Sequence, residues 1–265
     1  MSTKSILITG CSSGIGLHAA LTLAARGYQV FATARSEEDV AKLKAKGLTA
    51  FLLDLADEQS ITQAVSQVLE LTGGRLDYLF NNGAYGQPGA LEDLPTQALR
   101  AQFETNVFGW HELTKQIIPV MKQQGHGRII QCSSVLGFVS MAYRGAYNAS
   151  KHALEGLTDT MQLEMRGTGI HVSTLNTGPV TSKFRVNSIP PFERWIDWEA
   201  SADPERYRRE LLPHLYDGKT PALFQREPDA VVRRLIHAIE SPNPRPRYHI
   251  TPATHIAEAL RRTLP

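Results

Sequence analysis

Cysteine is nearly missing from this 265-residue chain: Cys11 and Cys132 are the only two. A disulfide scaffold is therefore excluded, and a chain of this length needs none, because it can bury roughly three quarters of its unfolded surface. Two cysteines so far apart suit a reducing compartment. A surplus of one charge is also missing. Twenty-eight Lys+Arg stand against 26 Asp+Glu, a formal +2 that is too small and too scattered to predict a nucleic-acid or anionic-membrane partner. The nine histidines show no His-Glu-x-x-His spacing, so no metal is expected. Nor is there a long apolar run. The 21 uncharged residues between Lys4 and Arg26 are broken by Ser5, Thr9, Ser12, Ser13, His18 and Thr22 and by three glycines. A signal peptide needs about 7–15 unbroken apolar residues, and Ile6-Leu7-Ile8 falls short. The expected address is cytoplasmic, without stable membrane insertion.

What the chain does have is a globular balance, 42% apolar and 20% charged, and a regular alternation. Short β-rich runs at 5–9, 28–33, 49–53, 78–80, 127–132, 170–175 and 248–251 alternate with helical patterns at 15–26, 37–46, 58–71, 96–124, 146–166 and 229–240. Nearly continuous apolar strands separated by helices predict an α/β fold, a doubly wound, mostly parallel seven-stranded sheet with helices on both faces. All of 1–265 reads as one domain. Within it, 179–227 has no strand pattern but six prolines and seven aromatics, the composition of a substrate-binding flap. A C-terminal helical stripe of Ile256, Leu260 and Leu264 is expected to dock on its own subunit or a neighbour rather than on a membrane.

Thr9-Gly10-Cys11-Ser12-Ser13-Gly14-Ile15-Gly16 follows the first strand and opens the first helix. Glycines there let backbone N–H groups approach a pyrophosphate, and the helix N-terminus adds partial positive charge. The spacing is Gly-x3-Gly-x-Gly rather than G-x-G-x-x-G, so its placement between strand and helix carries the argument. About 20 residues on, where an acid would bind a free ribose and repel a 2′-phosphate, the second strand ends in Arg35. A guanidinium offers that phosphate a planar fork. NADP(H) is the expected cofactor.

Tyr147 and Lys151 lie four apart on a predicted helix and so share a face. Carbonyl reduction needs a proton donor for the forming alkoxide. A phenol titrates near 10. An ammonium about 4 Å away contributes up to roughly 4 kcal/mol, enough to bring the phenol toward the ~7 that suits general acid–base work.

Together, residues 9–16, Asn81-Asn82-Gly83, Asn106, Ser134 and Tyr147-Asn-Ala-Ser-Lys151 resemble the short-chain dehydrogenase/reductase family, in the family's order, with Ser134 thirteen residues before the tyrosine. The resemblance is close over 4–182. It implies a Rossmann fold and a catalytic set of Asn106, Ser134, Tyr147 and Lys151. Tyr147 would be the general acid in reduction and the base in oxidation. Lys151 would hold the nicotinamide ribose and lower the tyrosine's pKa. Ser134 would hydrogen-bond the substrate carbonyl, and Asn106 would anchor a water linking Lys151 to solvent. The cofactor would lie on Gly10, Ser12, Ser13, Gly14, Ile15 and Gly16, with Arg35 at its 2′-phosphate, Asp54 and Leu55 at the adenine, and Asn82 and Gly83 beside the adenosine. Gly178, Pro179, Val180 and Thr181 would wrap the nicotinamide, which Tyr147 and Lys151 also meet.

Three departures from the family pattern matter. Asn81-Asn82-Gly83-Ala84 moves a glycine one place, which strains the backbone if Ala84 must take positive φ. Thr177-Gly178 replaces Pro-Gly, predicting a looser nicotinamide loop. The glycine turn has serines where NADP-preferring members often carry a basic residue, so Arg35 bears the phosphate argument. Within the family the sequence looks nearest hydroxysteroid and retinol dehydrogenases and bacterial aldehyde reductases. The aromatic flap suggests a bulky apolar carbonyl or alcohol substrate, lined by Ser134, Leu136, Met141, Tyr143, Tyr85 and Phe184. The expected protein is an NADP(H)-dependent reductase of aldehydes or ketones, working as a homodimer or homotetramer. Its alternatives are a steroid- or retinoid-type alcohol dehydrogenase, a 3-oxoacyl reductase, which the long flap disfavours, and a non-catalytic NADP(H) redox sensor, which has no need of a proton donor.

Overall fold

Every residue of the first strand, Ser5–Ile8 (β1), is buried, and the same holds for nearly all of the strands that flank it. Strands without an outward face must lie inside a covered sheet. The computed structural model describes residues 3–217 and 224–263 of the chain. After β1 come α1 (Gly14–Ala25), β2 (Gln29–Ala34), α2 (Glu37–Ala45), β3 (Thr49–Leu52), α3 (Glu58–Leu71) and β4 (Tyr78–Asn81). The second half runs α4 (Thr96–Phe103), α5 (Gly109–Gln124), β5 (Gly127–Ser134), α6 (Gly145–Glu164), β6 (Ile170–Thr177), α7 (Ile189–Trp195), the single turn α8 (Pro204–Arg206), α9 (Pro228–Glu240), β7 (Arg247–His249) and α10 (Pro252–Thr263).

The seven strands form one sheet in the order β3-β2-β1-β4-β5-β6-β7, and every pairing is parallel. The chain reverses its direction of winding between β1 and β4, and at such a switch point the carboxyl ends of the strands open a crevice. The doubly wound α/β fold is thus present. α1 packs on α9, while α3 packs on α5 and α4 on α6. The core between sheet and helices includes Ile6, Phe31, Phe80 and Trp110, all essentially inaccessible to solvent.

Two elements differ from the sequence pattern. The single helix expected over 96–124 is split by a π turn, Glu104–Phe108, which inserts an extra residue between α4 and α5. Such bulges recur at functional sites, and this one holds Asn106. Gly109 follows because a β-carbon there would overlap the Leu55 carbonyl oxygen. The second difference lies in the flap. Phe192, Ile196, Tyr207, Leu211 and Leu215 form a small apolar core of their own. The Tyr207 hydroxyl pins it to the sheet domain, donating to Asp93 at 2.7 Å and accepting from the Ala90 N–H at 2.9 Å. Most flap aromatics therefore serve packing. Residues 218–223 of the flap and Leu264 of the C-terminal stripe lie outside the described residues. Ile256 and Leu260 of that stripe are half exposed. Among the described residues no helix is long and apolar enough to cross a membrane.

Candidate active site

The carboxyl ends of β1 to β6 open onto one cleft of about 1150 Å³, large for a small-molecule pocket. At its centre is the turn between β1 and α1. Gly10 and Gly14 have φ of +70° and +57°, conformations that favour glycine. A β-carbon on Gly10 would stand 2.5 Å from the Gly83 Cα, and one on Gly16 would overlap the Gly10 carbonyl oxygen. The turn is therefore compressed onto α1 below and β4 beside it. Thr9 Oγ1 holds that second contact, accepting from the N–H groups of Asn82 and Gly83, both at 2.8 Å.

α1 itself is left open at its N-terminus. Ser36 caps α2 and Asp57 caps α3 through their side chains, and both helices begin with acidic residues. Ser13 makes no side-chain cap to α1, and its first turn carries no acid. Unsatisfied N–H groups and the helix dipole thus face the cleft beside Ser12, Ser13 and Ile15. These residues fit the pyrophosphate of a dinucleotide.

Arg35, just past β2, is exposed and lines the cleft with Asp54 and Leu55. Among the described residues it has no ion-pair partner. Asp54 turns its carboxylate to the Ala56 N–H at 2.9 Å, which shapes the loop after β3. Asn82 borders the cleft, but its amide nitrogen braces the glycine turn, donating to the carbonyls of Thr9 (3.0 Å) and Gly10 (3.2 Å). The displaced glycine causes no strain. Tyr143 and Phe224 alone among the described non-glycine residues have positive φ, so Ala84 does not. Gly83 serves instead as the contact surface for Gly10. The nicotinamide-side loop is also firmer than expected. Thr177 Oγ1 donates to the Ser133 carbonyl at 3.0 Å, and the Thr181 N–H and the Pro179 carbonyl pair with Arg226. Gly178, Pro179, Val180 and Thr181 all line the cleft.

β5 delivers Ser134 and α6 delivers Tyr147 and Lys151 to the same wall. Lys151 is 1% exposed. It donates to the Cys132 carbonyl at 2.9 Å and lies 4.3 Å from the centre of the Trp110 ring. Burial brings its amine down to about 8, opposed by Cys132 and Glu155. Tyr147 shows the reverse of the expected effect: burial raises its phenol above the ordinary range, while the nearby Ser134 hydroxyl and Arg144 oppose this. The amine lies 5.7 Å from the centre of the tyrosine ring, and the protein's own groups do not supply the predicted depression. Both cysteine thiols are buried and pushed up, Cys11 to about 12 and Cys132 to about 11, which leaves them inert.

Asn106 does not reach the cleft surface. Its side chain takes the Tyr85 N–H at 3.2 Å and donates to the Tyr85 carbonyl at 2.9 Å and to Ser150 Oγ at 3.3 Å. The side chain's evident work is to hold the loop at Tyr85 against α6.

Of the residues expected to line a substrate, Ser134, Leu136, Met141, Tyr85 and Phe184 border the cleft. Phe184 meets Tyr147 edge to face with ring centres 5.1 Å apart. Gly86 makes room for it, since a β-carbon there would come within 2.8 Å of the Phe184 ring. Tyr143 is a correction. Its φ of +59° turns the ring away from the cleft into the flap core, 5.6 Å from Tyr207, with its hydroxyl donating to Glu210 at 3.0 Å. The sequence reading also missed Arg144, which lines the cleft beside Tyr147.

A parallel sheet with a glycine turn and an open helix N-terminus at its switch point is a nucleotide-binding Rossmann fold, and a buried tyrosine, lysine and serine line the cleft beside that turn. The family model for short chain dehydrogenases matches residues 4–190, and the chain belongs to that family. It is 38% identical over 262 residues to the uncharacterized oxidoreductase YbbO of Escherichia coli K12, covering 99% of this chain and 91% of that protein. To human retinol dehydrogenase 8 it is 33% identical over 254 residues, 91% of this chain and 79% of the other. A short chain dehydrogenase/reductase of Burkholderia phymatum, crystallised in complex with NAD, superposes with a TM-score of 0.82 at 25% identity, covering 99% of this chain and 94% of that one. These likenesses agree with an oxidoreductase near the hydroxysteroid and retinol branches that takes a nicotinamide dinucleotide.

Proposed function

We propose that the protein is an NADP(H)-dependent reductase of aldehydes or ketones with an apolar body. The observation that carries this reading is the placement of Tyr147, Ser134 and Lys151 on one wall of the cleft that also contains the glycine turn and Arg35. When bound, the dinucleotide supplies the hydride. The chain's residues do the rest. The open N-terminus of α1 would hold the pyrophosphate, and Arg35, without an acid partner among the described residues, would meet the 2′-phosphate. Ser134 would donate to the substrate oxygen as negative charge gathers there. Tyr147, whose phenol burial keeps protonated, would pass its proton to that oxygen. Lys151 would hold the nicotinamide ribose and stabilise the resulting tyrosinate. Phe184, Leu136 and Met141 would exclude water from the apolar part of the substrate.

A panel of apolar aldehydes and ketones, offered with NADPH and separately with NADH, tests the reading. The expected result is carbonyl-dependent oxidation of NADPH, with NADH consumed much less efficiently. Equal use of NADH would remove the 2′-phosphate role of Arg35. Consumption of neither cofactor with any carbonyl would overturn the reductase reading.

A further inference from the structure

The substrate half of the cleft contains a cation without a counterpart. Arg144, at the entry to α6 and three residues before Tyr147, lines the cleft near Leu136, Met141 and Phe184. Its Nη1 is covered by protein and donates to no acceptor. Among the described residues the guanidinium has no hydrogen-bond or ion-pair partner. Burial holds it below the usual arginine range, and the one titratable neighbour favouring its charge is Tyr147 itself.

Among the described residues that line the cleft, none on this side carries a carboxylate to neutralise it. The two carboxylates that line the cleft, Asp39 and Asp54, lie on the β2–β3 side with Arg35, across β1 from Tyr147. On the Tyr147 side the other flap cations are Lys183 and Arg185. Arg185 is already engaged by the Leu215 carbonyl at 2.7 Å. A covered guanidinium donor without an acceptor is costly, and buried polar groups left unpaired call for a specific account. Nη1 itself is closed to a ligand, so an acceptor brought by a ligand would meet the remainder of the guanidinium where Arg144 lines the cleft, neutralising a charge that the described protein groups leave unpaired.

We infer that Arg144 anchors an anionic oxygen group, of carboxylate size, carried by the carbonyl substrate. This rests on the reductase reading and narrows it: the substrate is an oxo acid with an apolar body, not a neutral aldehyde. The carboxylate takes no part in the redox step. It sets the orientation in which the carbonyl oxygen meets Ser134 and Tyr147.

The test compares short and medium ω-oxoalkanoates with their methyl esters as NADPH-dependent substrates of the wild type, Arg144→Gln and Arg144→Lys. In the wild type, kcat/KM favours each acid of fitting length over its ester. In Arg144→Gln the acid-to-ester ratio falls by about tenfold or more, chiefly through KM for the acid, the size expected for a lost hydrogen bond to a charged group. Arg144→Lys restores part of it. Esters matching acids in the wild type, or a Gln variant that alters both alike, would overturn the proposal. Should Arg144→Gln fail to bind NADPH, inhibition of the wild type decides. Hexanoate must compete with the aldehyde where hexanamide does not, and equal inhibition refutes the anchor. If no carbonyl compound is consumed, the reductase reading has failed. Thermal stabilisation of the NADPH-bound protein by hexanoate, but not by hexanamide, then still judges Arg144 separately.

Discussion

The Lys151 amine lies 4.3 Å from the centre of the Trp110 ring, and the Trp110 indole donates to the Gly83 carbonyl at 2.7 Å. The cation beside Tyr147 is thereby connected, through one buried tryptophan, to the turn that packs on Gly10. A lysine in so dry a setting keeps its charge only with help, and the ring face and the Cys132 carbonyl supply part of it. Burial still dominates and sets the amine at about 8.

That value assigns the alkaline limb of catalysis. Tyr147 is raised, so it remains a proton donor well above neutrality. Lys151 loses its charge first. The pH profile of kcat/KM for reduction should therefore fall with an apparent pKa near 8, close to the Lys151 value. Lys151→Arg, whose guanidinium stays charged, should move that limb upward even if its maximum is lower. Initial rates across the alkaline range decide it, and an unmoved limb in the Arg variant would assign the titration to another group.

Removing the phenol should abolish chemistry and spare binding. Tyr147→Phe keeps the ring that meets Phe184 edge to face and loses only the hydroxyl that would supply the proton. Turnover should drop by about 10²–10⁴, the range for general acid catalysis. NADPH fluorescence on binding should change little, because the glycine turn and Arg35 are untouched. Turnover comparable to wild type would take the proton-donor role from Tyr147.

Much of this site was legible in the chain. The β–α alternation predicted the sheet, and the four-residue spacing of Tyr147 and Lys151 predicted a shared face because helical geometry alone determines it. Four features were not legible, each for a physical reason. The π turn at Glu104–Phe108 adds one residue without breaking the apolar pattern, so periodicity reads straight through it. Tyr143 points into the flap because of its backbone, φ +59°, and no residue-type rule predicts that for a tyrosine. The tyrosine's pKa was inferred from a single pair of charges, whereas desolvation, invisible in sequence, is the larger effect. Arg144 carried no motif at all; only its burial without a partner distinguishes it.

Cofactor choice should follow Arg35. Its substitution by Glu places an acid where a free ribose would be bound and a 2′-phosphate repelled. The ratio of kcat/KM for NADPH over NADH should fall by about ten- to hundredfold, in line with a lost charge-assisted hydrogen bond. Steady-state kinetics with both cofactors measures it. An unchanged ratio would mean that the 2′-phosphate is read elsewhere.

Lys151 should also leave a mark on stability. Its folded value, about 8, lies below the 10.5 of an ordinary lysine. Below pH 8 both folded and unfolded chains carry the proton, and the full cost of burying it is present. Between about 8 and 10.5 the unfolded chain binds more protons than the folded one, so stability rises with pH, and above that window the relief is complete. The rise attributable to this one group is at most about 3 kcal/mol. Lys151→Met lacks the titration and should show no such gain, while ionisable groups other than its neighbours Cys132 and Glu155 contribute to both proteins alike. Denaturant unfolding of the two at pH 8 and 10.5 gives the difference. Parallel behaviour across that interval would mean that the amine is neither as dry nor as perturbed as its contacts with Trp110 and Cys132 imply.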